Sequence, residues 1–74
     1  EVELKDEARQ VMTLIDQLPD QQRQIMQMRD VEDLAYEEIE KATGLTSVNI
    51  RVLLSRARKK IREQFLAIRN YERL

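Results

Sequence analysis

The chain has 74 residues, with 13 Lys/Arg, 14 Asp/Glu and neither Cys nor His. That length suits one small domain, and it leaves no thiolate or imidazole for a disulfide, a metal centre or a cofactor ligand. Enzymes working near neutral pH use His or a pocket-tuned carboxylate as acid or base, or a nucleophile set beside a base, so catalysis is not expected and no cofactor is implied. The net charge of −1 hides a strong polarity: residues 1–40 hold four Lys/Arg and twelve Asp/Glu, giving −8, and residues 41–74 hold nine and two, giving +7.

With one Gly and one Pro in the chain, helix breaks are few. Leu4, Ala8, Val11 and Ile15 recur at helical spacing with Met12 alongside, predicting an amphipathic helix over about 3–17. Pro19 suits the first position of a second helix, about 19–31, whose buried residues would be Ile25, Met28 and Val31. Met26 and Met28 are expected as core filler. The link Glu32-Asp33-Leu34 leads to a short third helix, about 35–43, with Asp33 as its cap and Ala35, Ile39 and Ala42 facing inward. Glu37 and Glu38 near its start are read as favouring the positive end of the helix dipole, not as a catalytic pair. Gly44 ends this helix in the left-handed conformation, Leu45 plugs the corner, and Thr46 caps a long fourth helix, about 47–69. Two helices joined by a short turn with Gly are the form of a helix-turn-helix. The expected fold is all-α: a single four-helix helix-turn-helix domain built on the three-helical bundle type, without a wing.

At about 100° per residue, the fourth helix has two sides. Ile50, Leu53, Leu54, Ala57, Ile61, Phe65 and Ile68 form a stripe that must be buried. Val48, Arg51, Val52, Ser55, Lys59 and Arg62 lie opposite, flanked by Arg56 and Arg58. A recognition helix meets base edges with its early residues and the backbone with later ones. Arg51 is the candidate for a bidentate bond to guanine. Val52 and Val48 are candidates for thymine methyl groups, and Ser55 and Asn49 for a base or phosphate hydrogen bond. Arg56, Arg58, Lys59 and Lys60 are candidate phosphate contacts, with Tyr36 beside the backbone at the start of the short helix. The bland reading of the same charges is a solvated helix face.

The runs Leu18-Pro19, Gln22-Arg23, Arg29-Asp30-Val31, Tyr36-Glu37-Glu38-Ile39, Gly44-Leu45, Ile50-Arg51 and Ser55-Arg56-Ala57-Arg58-Lys59-Lys60-Ile61-Arg62 closely resemble region 4 of bacterial RNA polymerase sigma factors. The extracytoplasmic-function branch is the nearest match, over roughly residues 4–66. The resemblance implies binding of double-stranded promoter DNA at the −35 element, docking on the flap of the polymerase β subunit, and capture by an anti-sigma factor. It implies that Arg51, Val52 and Ser55 face bases and that Arg56 and Arg58 serve the DNA backbone or domain packing. Three positions depart from the family. A small residue is usual where Glu40 stands, so looser packing or an outward Glu40 is expected. A capping Ser is usual where Ala35 stands, leaving the cap to Asp33. Ser-Arg often stands where Val52-Leu53 do, which changes the chemistry offered to bases.

The 74 residues hold no counterpart of region 2, so the expected activity is binding and not promoter melting. The lack of an initiator Met points to a piece of a longer protein. No signal peptide and no run of roughly 18–20 apolar residues is visible, in keeping with a cytoplasmic bacterial protein. Two other readings stand beside promoter recognition: a protein-interaction module that reads no DNA, gripping a partner helix in an apolar groove, and the output helix-turn-helix of a response regulator.

Overall fold

Among the described residues, Ile25, Ile39, Ile50 and Leu54 are the largest side chains fully sealed from solvent, and the helices of this computed structural model are arranged around them. The structure describes residues 2–73, with side chains over 7–69. Leu4, expected on the first inner stripe, lies outside the described side chains. Helix α1 runs Val2–Asp16 and α2 runs Asp20–Met26, continuing into a π-helical turn over Gln27–Val31. Helix α3 spans Tyr36–Thr43 and α4 spans Ser47–Arg73. All four elements are helical, as a helix-turn-helix domain requires. Among the described residues no helix is long and apolar enough to cross a membrane.

Helix α4 is the spine. Ile50, Leu54, Ala57 and Ile61 form its buried side, with Leu53, Phe65 and Ile68 partly buried against the same core. Helix α2 supplies Ile25 and Met26, α3 supplies Ile39, the end of α1 supplies Leu14 and Ile15, and the turn after α1 supplies Leu18. Each such burial contributes about 1.5–3 kcal/mol before entropy is counted. Among the described side chains of α1, Ala8 is exposed and Met12 is 41% exposed, while Val11 packs partly buried against the core.

Four local expectations need correction. Pro19 is the N-cap of α2, extended at φ −52° and ψ 146°, and not its first helical residue. The π turn, closed by Glu32 N–H donating to Gln27 O at 2.9 Å, widens the helix beyond 3.6 residues per turn. Val31 therefore rotates out to 47% exposure, while Met26 is sealed in the core. Asp33 does not cap α3. It takes φ +58°, a conformation that Asp tolerates better than most residues, and so reverses the chain. The cap position falls to Ala35, whose side chain has no acceptor; its own N–H donates instead to Glu38 Oε1 at 3.0 Å. Ala35 and Ala42 are exposed, so Ile39 alone seals α3.

The turn between α3 and α4 is tightly bonded. Gly44 sits at φ 76° and ψ 4°, and its N–H donates to Glu40 O at 2.8 Å. Thr43 Oγ1 donates to Ile39 O at 2.7 Å and accepts from Leu45 N–H at 3.2 Å. Thr46 Oγ1 accepts from Asn49 N–H at 3.2 Å, the N-cap bond its sequence position implied. Glu40 neither bends away nor loosens the packing: its Oε2 accepts from Ser47 N–H at 3.0 Å, tying α3 to the head of α4.

A Cβ at Gly44 would meet nothing within 4 Å, so substitution there costs backbone conformation alone. Gly44→Ala is expected to lower unfolding free energy by about 1 kcal/mol, with a smaller loss for Gly44→Asn. Urea unfolding monitored by circular dichroism measures both, and equal stability of all three proteins would contradict the role given to this φ.

Candidate nucleic-acid interface

Burying Ile50, Leu54 and Ala57 turns the opposite side of α4 outward. Val48 is 67% and Val52 41% exposed. Asn49, Arg51, Ser55, Arg56, Arg58, Lys59, Lys60 and Arg62 are exposed as well. All ten residues singled out on sequence grounds are thus on the surface except Tyr36, which is half-buried at the start of α3. They do not form one patch but flank a crest. Arg51, Ser55, Arg58, Lys59 and Arg62 line a cleft with Tyr36 on the α3 side. Asn49, Val52 and Arg56 line a second cleft, with Gln21 of α2, on the other. Val48 stands near the crest, and Lys60 follows Asn49 and Arg56 on the second flank by helical spacing.

Two arginines of the first cleft already have partners within the domain. Arg58 grips Asp30 with two nitrogens, Nε to Oδ2 at 2.9 Å and Nη2 to Oδ1 at 2.5 Å. These hydrogen bonds raise the Arg58 pKa above its ordinary value, against partial burial, which lowers it. The pair ties the π turn to the middle of α4. Arg51 lies over the Tyr36 ring, its guanidinium carbon 5.3 Å from the centroid, and Arg29 lies over the same ring at 4.8 Å. Arg29 Nη1 also donates to Leu34 O at 2.8 Å, bracing the link between the π turn and α3. Among the described residues no cluster of acidic side chains is arranged to hold a metal ion.

A shallow helical surface carrying cations, a hydroxyl and two compact apolar side chains beside a glycine turn is suited to double-stranded DNA. The model of the family described as Sigma-70, region 4 matches residues 8–61. The chain belongs to that family. Comparison with curated proteins and with solved structures finds no match. A region 4 domain is a DNA-binding module of sigma factors in transcription initiation, acting with RNA polymerase, and the all-helical helix-turn-helix described above is its fold.

Three residues of this region 4 domain that matter to the surface were not singled out as such in the sequence: Arg29, Asp30 and Glu40. Arg29 and Asp30 carried one signal, a charged pair just before the acidic link, but their partners lie five or more residues away. Asp30 and Arg58 are 28 positions apart, a separation that no local pattern bridges. Glu40 was noticed only as a departure from the family.

The Asp30–Arg58 pair is two-pronged yet open to solvent, with side chains 30% and 48% exposed. A double-mutant cycle of Asp30→Asn and Arg58→Ala, read by thermal unfolding, is expected to give a coupling of about 0.5–1 kcal/mol. A coupling near zero would mean that the pair does not hold the π turn against α4.

Proposed function

We propose that this region 4 domain recognises the −35 element of bacterial promoters, as the C-terminal DNA-binding part of a sigma factor of the extracytoplasmic-function branch, in the cytoplasm. The observation that carries the reading is the common exposure of Arg51, Val52 and Ser55 on the side of α4 opposite its buried stripe. A helix lying in the major groove offers such early residues to base edges and its later residues to the phosphates. Arg51 has the fork that matches guanine O6 and N7, Val52 and Val48 suit thymine methyl groups, and Ser55 and Asn49 supply short polar contacts. Arg56, Lys59 and Lys60 supply phosphate contacts, with Tyr36 beside the backbone. Arg58 adds to them to the extent that phosphate displaces Asp30.

Polymerase docking is assigned to the other side of the domain. Val11, Met12, Ile15, Met26, Val31 and Phe65 line an apolar groove between α1, the π turn and α4, with Glu7 and Asp30 at its rim. A groove with exposed Met and Val suits the apolar face of an amphipathic helix. The flap of the polymerase β subunit is the proposed occupant, and an anti-sigma factor would compete for it. The outward rotation of Val31 by the π turn supports a binding role for this groove, because a residue of that type gains nothing from water.

Arg51→Ala is expected to remove about 1–3 kcal/mol of discrimination at one base pair. Lys59→Ala is expected to weaken all duplexes alike and to flatten the plot of log K against log salt by about 0.9. Fluorescence anisotropy on −35-like duplexes at several salt concentrations measures both. Uniform weakening by both variants would end the division into readers and anchors, and an affinity indifferent to salt would favour the pure interaction module.

Val31→Asp places a charge in the groove and leaves α4 untouched. Loss of capture by an isolated β-flap domain with duplex affinity unchanged is the expected pair of results. Loss of both, or of neither, would contradict the assignment of the groove.

A further inference from the structure

Arg51 leaves the helix as a long side chain with several rotatable bonds, and fixing such a chain on binding costs entropy. Here its guanidinium is already held, 5.3 Å from the centroid of the Tyr36 ring. The ring itself is half-buried at the first residue of α3. Arg29 stacks on it from 4.8 Å and is anchored in turn by its bond to Leu34 O. Glu40 and Gly44 fix α3 against the head of α4, so the distance from ring to guanidinium is set by the fold and not by a floppy loop. Nothing else among the described residues pairs with Arg51: it makes no ion pair and no side-chain hydrogen bond there.

We propose that Tyr36 is a positioning residue for Arg51, holding the guanidinium in place before DNA arrives, so that discrimination at one base pair depends on an aromatic ring that need not touch the base. This rests on the proposed reading of guanine by Arg51. It differs from a phosphate contact by Tyr36, which would work through the hydroxyl and would change affinity for every sequence equally. The ring acts through its face, which Phe keeps and Leu lacks.

The test uses duplexes selected by the unaltered 74-residue chain from a randomised library, together with single-base-pair variants of the selected duplex. Arg51→Ala first identifies the base pair at which discrimination falls. Tyr36→Leu is expected to reduce discrimination at that same pair by about two- to fivefold, the range of an exposed cation–π contact, with the other positions and the salt slope unchanged. Tyr36→Phe is expected to keep the discrimination, whatever uniform affinity the hydroxyl contributes. If Arg51→Ala relaxes a position and Tyr36→Leu does not, the positioning role is overturned while base reading stands. If Arg51→Ala relaxes no position, base reading fails and the positioning role falls with it. Should Tyr36→Leu not fold, nuclear magnetic resonance of the unaltered chain decides. Ring-current-shifted Arg51 side-chain protons, preserved in Tyr36→Phe, support the proposal, and unshifted ones overturn it.

Discussion

Ile50, Leu54 and Ala57 of α4 are packed into one core with Ile25 of α2 and Ile39 of α3, and that contact sets the direction of every charged side chain along the helix. A helix advances 100° per residue, so sealing a few positions leaves no freedom for the rest. Turning α4 by a single residue would carry Arg51 or Arg58 toward the core, and an unpaired buried guanidinium is far costlier than the loss of one methyl contact. The register is thus held from both sides, by side chains driven inward and by charges that cannot follow them. In a chain with so few breaks, one continuous helix can serve as both the floor of the core and the outer surface.

The corner that joins α3 to α4 adds a second constraint. Gly44 supplies the reversal, but Glu40 supplies the joint, because its carboxylate reaches across the turn to the first N–H of α4. A charge-assisted bond at a helix N-terminus is among the stronger local interactions. It also has an electrostatic consequence. The positive end of the α4 dipole, which would otherwise draw an anion, already faces a carboxylate, so attraction for phosphate is shifted away from Ser47 and toward the cations further along the helix. Affinity and orientation are thereby separated: the turn orients the helix, and Arg56, Lys59, Lys60 and Arg62 carry the charge.

The long-period features of this domain were legible from the residues. The two sides of α4, the left-handed Gly44 and the Thr46 cap follow from spacing and from what each side chain can do to its own backbone, so they needed no tertiary knowledge. Val31 shows where that reasoning stops. Its place at helical spacing from Met28 is real, but a π turn spreads five residues over an angle that periodicity assigns to fewer, and nothing in Gln27-Met28-Arg29-Asp30-Val31 announces the extra residue. Asp33 was misread for a related reason: the same short polar side chain suits a helix cap and a left-handed turn, and only the path of the chain decides between them. Ala8, Ala35 and Ala42 were expected inside because Ala is counted as apolar, yet a single methyl is a weak claim on the core. At the surface, exposure was readable and pairing was not. Whether Arg58 is free or held by Asp30 depends on packing between elements 28 residues apart.

A net charge of −1 does not oppose binding to a polyanion in such a molecule. Salt screens exposed charges over a Debye length of about 8–10 Å, so a phosphate responds to the charges nearest it and hardly at all to the total. Among the described residues, Arg51, Arg56, Lys59, Lys60 and Arg62 make no ion pair. The pairs that do form engage Arg23, Arg58 and Arg69, and of these only Arg58 belongs to the outward side of α4. Among the described residues, the acidic side chains of the first forty positions therefore leave most of this surface uncompensated. At the border of the apolar groove, Glu7 and Asp30 are themselves paired with Arg69 and Arg58, so those two arginines offer phosphate less there than the unpaired cations of α4 do. Segregated charge thus gives the outward side of α4 a local positive field that a neutral mixture of the same residues would not have.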